Sequence, residues 1–441
     1  MSGLKTHPET RPILTLIMAA LLVCLAAGCA QETAPTEPAL ATLTGRAVLP
    51  ADTFSDGPAV GHELDPVING RNLPFDSVPL QGFSSLLSLG DNQYLALQDN
   101  GFGSLANSPN YPLRWYRLAV RLDDPPREGG PVELLETVNL SDPHGLLPFA
   151  LARDDSARQL TGADLDPESF VRLPDGSFWL GEEFGPSLIH FSAQGEVLEK
   201  PVDIPIVPSM RLFARGSPFY RTPDNPDLRF LRRTETRDEL ANQPRSGGIE
   251  GLALNPNGSR AYAAVEKGLH DDPVGERRVI MEFDPARRSF TGNHWLYLVD
   301  RPDVSIASLE VVSNRVLLVV ERDTAEGKDA EIKRIYRVEL GRVNERGFLI
   351  KHLVCDLLNI DDSAGLTHQE KGAVGLGQYY RFPYVTPECL VIIDDNTLLL
   401  ANDNNYPMST GRRPPKTPDD NEFIRLRLNR PLGSPPQAAG Q

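Results

Sequence analysis

The segment Gly247–Gly268, GGIEGLALNPNGSRAYAAVEKG, constrains this chain more than any other. Glu250 opens a short apolar run, Asn255-Pro256-Asn257-Gly258 turns the chain, and a second alternating run ends on Glu266. Two strand-length runs joined by Pro, Asn and Gly predict a β-hairpin, because those residues accept the backbone angles that a reversal needs. The unit recurs. Glu168 opens a copy that closes on Glu182-Glu183, Glu310 a copy that closes on Glu321, and Glu388 a copy that closes on Asp403. An earlier copy begins Gly82-Phe83-Ser84-Ser85, with serine in place of the opening glutamate, and closes on Asp99. A hairpin repeated with insertions of variable length predicts small sheets arranged around an axis, an all-β propeller. We expect six blades, with five or seven as the alternatives. The ring is expected to close by pairing of Thr42–Leu49 with Phe423–Leu428, both of which alternate apolar and polar residues over most of their length.

Composition agrees with a turn-rich globular domain: 39 Pro and 36 Gly in 441 residues, 40% apolar and 24% charged. The net charge of −16 argues against a nucleic-acid partner, which calls for a basic face. It suits solubility and equally suits cation binding. A monomer is expected.

The N-terminus reads as a targeting segment. Lys5 and Arg11 precede an apolar run, Ile13–Leu25, of signal-peptide length. It ends Leu25-Ala26-Ala27-Gly28-Cys29, which resembles the lipobox of bacterial lipoproteins, with Ala26 where leucine is usual. That resemblance implies cleavage before Cys29 and lipidation of Cys29, hence attachment to a bacterial cell envelope, at an outer membrane where one exists. The expected organisation is a signal peptide over 1–28, a lipidated cysteine and flexible tether over 29–41, a propeller over 42–430 and a disordered tail over 431–441. Cys355 and Cys389 would then be the remaining thiols, able to pair or to stay free and buried. An arginine-rich insertion, Met210–Ser246, holds Arg211, Arg215, Arg221, Arg229, Arg232, Arg233, Arg237 and Arg245. It reads either as a cationic rim for an anionic substrate or as a solvated loop paired to local acids.

The chemistry lies in the repeated acids. Innermost strands of a propeller begin around one channel, so equivalent positions converge from distant points of the sequence. Glu168, Glu250, Glu310 and Glu388 form the expected inner set. Asp99, Glu182, Glu183, Glu266, Glu321 and Asp403 form a second set on the same face, because an up strand followed by a down strand returns to its starting end. Crowded carboxylates repel unless they are protonated or neutralised, and a hard cation such as Ca2+ resolves this. Glu168, Glu250, Glu310, Glu388, Asp99, Glu266, Glu321 and Asp403 are therefore the candidate calcium ligands. The alternative is that the opening glutamates brace the blades. Glu182 and Glu183 are candidates for proton transfer. Lys267 and Arg322, each following a closing acid, are candidates for holding a phosphate or polarising an ester oxygen, or for pairing with those acids. No G-x-S-x-G elbow, H-E-x-x-H motif or phosphate-binding Walker loop occurs.

Several phrases carry a family resemblance: Gly82-Phe83-Ser84, Asp99-Asn100-Gly101-Phe102-Gly103 with Asn107-Ser108, Gly181-Glu182-Glu183-Phe184-Gly185-Pro186, Gly248-Ile249-Glu250-Gly251 and Asn402-Asp403-Asn404-Asn405. Over about residues 45–430 the chain resembles the family called esterase-like activity of phytase, secreted bacterial proteins with a phytase-like domain. The resemblance implies a calcium-dependent β-propeller with phosphoesterase or esterase activity. It transfers acidic motifs and no catalytic nucleophile. The resulting expectation is an extracytoplasmic calcium-dependent hydrolase of ester bonds, acting on a small anionic ester, with phosphate esters favoured. A calcium-dependent lactonase propeller and a non-catalytic envelope-binding propeller are the alternatives.

Overall fold

The computed structural model describes residues 37–122, 132–153, 156–231 and 233–434. The expected signal segment, Cys29, Arg232 and most of the expected tail lie outside them. Among the described residues the hairpin repeats become four four-stranded sheets and one six-stranded sheet. Blade 1 is Phe83–Gly90, Gln93–Gln98, Arg114–Val120 and Val132–Asn139. Blade 2 is Pro167–Arg172, Phe178–Glu182, Ser187–Phe191 and Val202–Asp203. Blade 3 is Ile249–Leu254, Ala261–Val265, Arg277–Asp284 and Ser289–Leu298. Blade 4 is Ser305–Ser313, Val316–Arg322, Lys333–Val343 and Leu349–Asp356. Blade 5 is Thr386–Asp394, Thr397–Asp403, Asn421–Leu428 and the early strand Ala41–Leu49, with two short outer strands added.

The propeller thus has five blades, which corrects the expected six. Its innermost strands touch in an unbroken cycle, each blade against the next and blade 5 against blade 1. The insertions that have the length of a further blade do not build one. The stretch between blades 2 and 3 forms two 3-10 turns, Pro208–Phe213 and Pro226–Leu228, and one helix, Thr234–Leu240. Each of the three has proline or several charged residues where a strand would need alternating apolar ones.

Ala41–Leu49 runs antiparallel to Asn421–Leu428, from Ala41 opposite Leu428 to Leu49 opposite Asn421. Under this pair lies a buried ionic network. Glu422 accepts from Arg46 at 3.0 and 2.9 Å, from Arg412 at 3.0 Å, from the Tyr384 hydroxyl at 2.6 Å and from the Tyr380 hydroxyl. The two guanidiniums hold the Glu422 carboxyl well below the usual carboxylate range in spite of its burial. Apolar side chains fill the spaces between blades. Val171, Trp179 and Leu188 of blade 2, for example, meet Ile249, Leu252 and Ala263 of blade 3. Each such fully buried aliphatic residue contributes about 1.5–3 kcal/mol.

Cys355 and Cys389 are free and buried, in separate clusters. The Cys389 thiol donates to the Phe83 carbonyl at 3.0 Å. Among the described residues no helix is long and apolar enough to cross a membrane.

Candidate functional site

The site is built by a defect that recurs in every blade. Each innermost strand slips register against its neighbour close to its start: between Phe83 and Ser85, Pro167 and Ser169, Ile249 and Gly251, Ile306 and Ser308, and Thr386 and Cys389. The residue inside the slip has no cross-strand partner, and such a bulge re-aims its side chain. Those residues are Ser84, Glu168, Glu250, Ala307 and, beside Pro387, Glu388. The second strand of each hairpin comes back to the same end. Its residues there are Asp99, Glu183, Glu266, Arg322 and Asp403. Asp99, Glu183 and Glu266 donate their backbone N–H to Gly82, Asp166 and Gly248 at 2.9–3.0 Å, while Arg322 pairs with Ser305 and Asp403 with Thr386.

The carboxylates meet. Asp166, Glu168 and Glu183 bring one oxygen each within 4.8 Å of one another, as do Glu168, Glu250 and Glu388, and Glu183, Glu250 and Glu266. The opening and closing acids are therefore neighbours, as the hairpin geometry requires. Asp99 and Asp403 complete the cluster electrostatically: burial, then Asp403 and Asp166, raise the Asp99 carboxyl, and burial, with Asp166 contributing, pushes Asp403 up to about 6. Burial and neighbouring acids push Asp166 up to about 6 and hold Glu168, Glu183, Glu250 and Glu388 well above their ordinary values.

Two cations touch this cluster. Arg322 Nη2 stands 3.4 Å from Glu250 Oε1, 3.0 Å from Glu266 Oε1 and 3.5 Å from Glu388 Oε1. Lys267 Nζ stands 3.1 Å from Glu266 Oε2 and donates to the carbonyls of Arg245 and Ser246. Burial pulls the Lys267 ammonium down, but Glu266 and Glu183 more than offset it.

Three expected members fall elsewhere. Glu182 and Glu321 each sit one residue before the ring position, and successive strand residues face opposite ways. The Glu182 carboxylate accepts from the Phe184 N–H at 2.9 Å, the Gly185 N–H at 2.7 Å and the Ser187 hydroxyl at 2.9 Å, so it braces a turn. Glu321 accepts from Tyr297 at 2.5 Å, the Asp300 N–H at 2.9 Å and Lys351 at 2.5 Å, away from the cluster. Glu310 is three residues past the bulge of blade 4, which falls on Ala307. Sequence reasoning missed Asp166. The phrase Asp166-Pro167-Glu168 held the signal, since it sets a second acid just ahead of the bulge.

Glu310 lines a cavity of about 240 Å³ with Ser85, Leu87, Ser169, Glu250 and Ser308. Burial pushes its carboxyl up to about 8, opposed only by the Val311 N–H. The unfolded chain ionises this group near the ordinary glutamate value of 4.5, so between 4.5 and about 8 the folded state binds the extra proton. Stability from this group is full below 4.5 and is lost as pH rises through about 8. Glu310→Gln is expected to gain about 1–3 kcal/mol over wild type between pH 5 and 8 in urea unfolding, water in the cavity moderating the effect. A gap that does not widen with pH would mean that the carboxyl is already ionised in the folded channel.

Gly248 lets blade 3 start directly against blade 2. A Cβ there would lie 2.5 Å from the Glu183 Cα and 2.9 Å from the Glu182 carbonyl oxygen. The Gly248 N–H donates to Glu183 Oε1 at 3.1 Å. Gly248→Ala is expected to move Glu183 away from Glu250 and Glu266, weakening divalent-cation binding by about 10–100-fold in calorimetry while the fold persists. Unchanged affinity would show that this spacing is not needed.

Most described arginines of the arginine-rich insertion are taken up by local acids or carbonyls, several of them at the surface. Arg215 pairs with Asp271 at 2.8 Å, Arg221 with Asp227 at 3.5 Å, and Arg237 with Asp224 at 3.6 Å. Arg245 also reaches Asp224, and Arg229 donates to the Ala163 and Asp164 carbonyls at 3.0 Å.

A five-bladed all-β propeller with a buried carboxylate cluster at one end of its axis is the class that fold and site define. The model of the family "Phytase-like: Esterase-like activity of phytase" matches residues 78–406, and the chain belongs to this family. An "Uncharacterized secreted protein" of Arthroderma benhamiae is 26% identical over 219 residues. That alignment spans 42% of this chain and 41% of the relative, less than half of its length. Among solved structures, a β-1,3-galactosidase is 11% identical, with 84% of this chain and 94% of that one covered and a TM-score of 0.38. Regucalcin, a calcium-binding protein of Agrobacterium tumefaciens, is 12% identical over 88% of this chain and 97% of that one, with a TM-score of 0.34.

Proposed function

We propose that the cluster holds a divalent cation, calcium, and that the protein uses it to hydrolyse an ester bond, with phosphate monoesters as the favoured substrates. The observation that carries this reading is the charge imbalance. Asp99, Asp166, Glu168, Glu183, Glu250, Glu266, Glu388 and Asp403 are buried together, with Arg322 and Lys267 as the cations in contact. The donors are all carboxylate oxygens, which suits a hard ion of loose geometry and offers nothing to a soft one. A bound ion of this kind supplies Lewis-acid polarisation of an ester or phosphoryl oxygen. Arg322 and Lys267 hold negative charge on the substrate. A carboxylate of the cluster that is not engaged on the ion accepts the proton of the attacking water. The family's described activity supports a hydrolase.

We place the protein outside the cytoplasm, anchored to a bacterial envelope through Cys29. The lipobox-like Leu25-Ala26-Ala27-Gly28-Cys29 supports this, and the relative described as secreted supports export.

The test is calcium calorimetry followed by hydrolysis of p-nitrophenyl phosphate, inositol hexakisphosphate and a γ-lactone, each with calcium and with EDTA. Calcium-dependent phosphate release, inhibited by inorganic phosphate, is expected. Lactone turnover without phosphatase activity would move the reading to a lactonase. Failure to bind calcium, magnesium or manganese would overturn it and leave the acids as braces.

A further inference from the structure

Blade 4 alone breaks the pattern of the ring at both positions. Where blades 2, 3 and 5 place a glutamate in the bulge, blade 4 has Ala307, buried and small. Where blades 1, 2, 3 and 5 close on an acid, blade 4 closes on Arg322. Both changes serve one arrangement. A bulge glutamate at 307 would add a further acid to the crowd, and its absence leaves Arg322 to reach the acids of the two flanking blades. One nitrogen, Nη2, lies within 3.5 Å of carboxylates from blades 3 and 5. Its side chain is nine-tenths buried, and its Nε is buried with no hydrogen-bond partner among the described residues. The guanidinium therefore sits inside the cluster with donor capacity left over. Glu266, Glu250 and Glu388 keep its charge firmly in place against burial.

The arginine does not neutralise the cluster evenly. Glu250, Glu266 and Glu388 have it as a direct partner. Asp166, Glu168 and Glu183 also come within 4.8 Å of one another, yet none of the three has an ion pair with Arg322. What lies near them is the Asn100 amide and N–H, which donate to Asp166 at 2.8 and 3.2 Å, the Gly248 N–H on Glu183, and the Lys267 ammonium, which acts on Glu183 without an ion pair to it.

We propose that the ring is a one-ion site with a resident second cation: one divalent ion on Asp166, Glu168 and Glu183, and Arg322 permanently in the place of a second ion on Glu250, Glu266 and Glu388. This rests on the metal reading above. It adds the position and number of the ions, and it gives Arg322 a task that is not bracing. From blade 4, with its Nε unengaged, Arg322 is the second positive contact for a substrate anion that also meets the ion.

The experiment is native mass spectrometry and calcium calorimetry on the full chain. Wild type is expected to bind one calcium. Arg322→Glu and Arg322→Gln, which release Glu250, Glu266 and Glu388, are expected to bind two. Asp166→Asn is expected to lose about 100-fold in affinity and at least about tenfold more than Glu266→Gln, and this comparison decides the assignment if the Arg322 variants fail to fold. No ion on wild type would sink the metal reading itself. Two ions on wild type, one ion on folded Arg322 variants, or equal losses in Asp166→Asn and Glu266→Gln would leave the metal reading standing and overturn this one.

Discussion

Replacing Glu250 with glutamine is expected to make the cation-free protein more stable while leaving most of the stabilisation by calcium in place. Glu250 belongs to two of the three carboxylate groups that come within 4.8 Å, so its charge is repelled from two sides. Burial first, then Glu388 and Glu266, hold its carboxyl well above the ordinary value, and Arg322 only partly opposes them. Neutralising it removes that repulsion while Arg322 keeps Glu266 and Glu388. The expected gain without metal is a rise of a few degrees in the unfolding midpoint. Calcium should still stabilise the variant, because the ion proposed on Asp166, Glu168 and Glu183 keeps its ligands. Thermal unfolding of both proteins in EDTA and in calcium checks the two halves together. A Glu250→Gln protein that is weaker in EDTA would show that Glu250 serves as an anchor for Arg322, which is the bracing role.

The second large effect lies far from the ring. Glu422→Ala is expected to cost about 3–5 kcal/mol, because it strands two buried guanidiniums, Arg46 and Arg412, that share this one carboxylate. Tyr380 and Tyr384 lose their acceptor in the same step. Urea unfolding measures the loss. A loss below about 1 kcal/mol would mean that water or Asp420 takes over the charge. Ring function should suffer only through global stability, so calcium affinity at low temperature should stay close to that of wild type.

The propeller was legible because its repeats are local. Turn residues at Asn255–Gly258 and alternating runs on either side are read within one hairpin, and each of the five hairpins found in the sequence became a blade. The blade number was overestimated because the segments between hairpins are long enough for another sheet. Only their proline and charge content, as at Pro208–Phe213 and Thr234–Leu240, tells that they are not one.

The site was legible to within one or two residues of strand. Glu168, Glu250, Glu388, Asp99, Glu183, Glu266 and Asp403 stand where convergence at one channel end predicts. Glu310 and Glu321 do not, because a bulge shifts which residue faces the axis, and a bulge leaves no mark on composition. In blade 4 it falls on Ala307, which moves the ring position from Glu321 to Arg322. A register error of one residue thus exchanged an acid for the cation that pairs with Glu250, Glu266 and Glu388.

Ala41–Leu49 is synthesised before any of the blades, yet its neighbour in the sheet, Asn421–Leu428, is synthesised after nearly all of them. The first strand therefore waits unpaired through the translation of the whole domain. Blade 5 cannot be filled in step with the emerging chain, whereas blades 1 to 4 can. A ribosome that stops before Asn421 releases four finished blades and a fifth lacking its third strand, with nothing to receive the outer one. The Glu422 network is missing from such a fragment as well, so Arg46 and Arg412 lack the carboxylate they share. Completion is a single late event in the making of each domain, and it comes after every other strand of the ring.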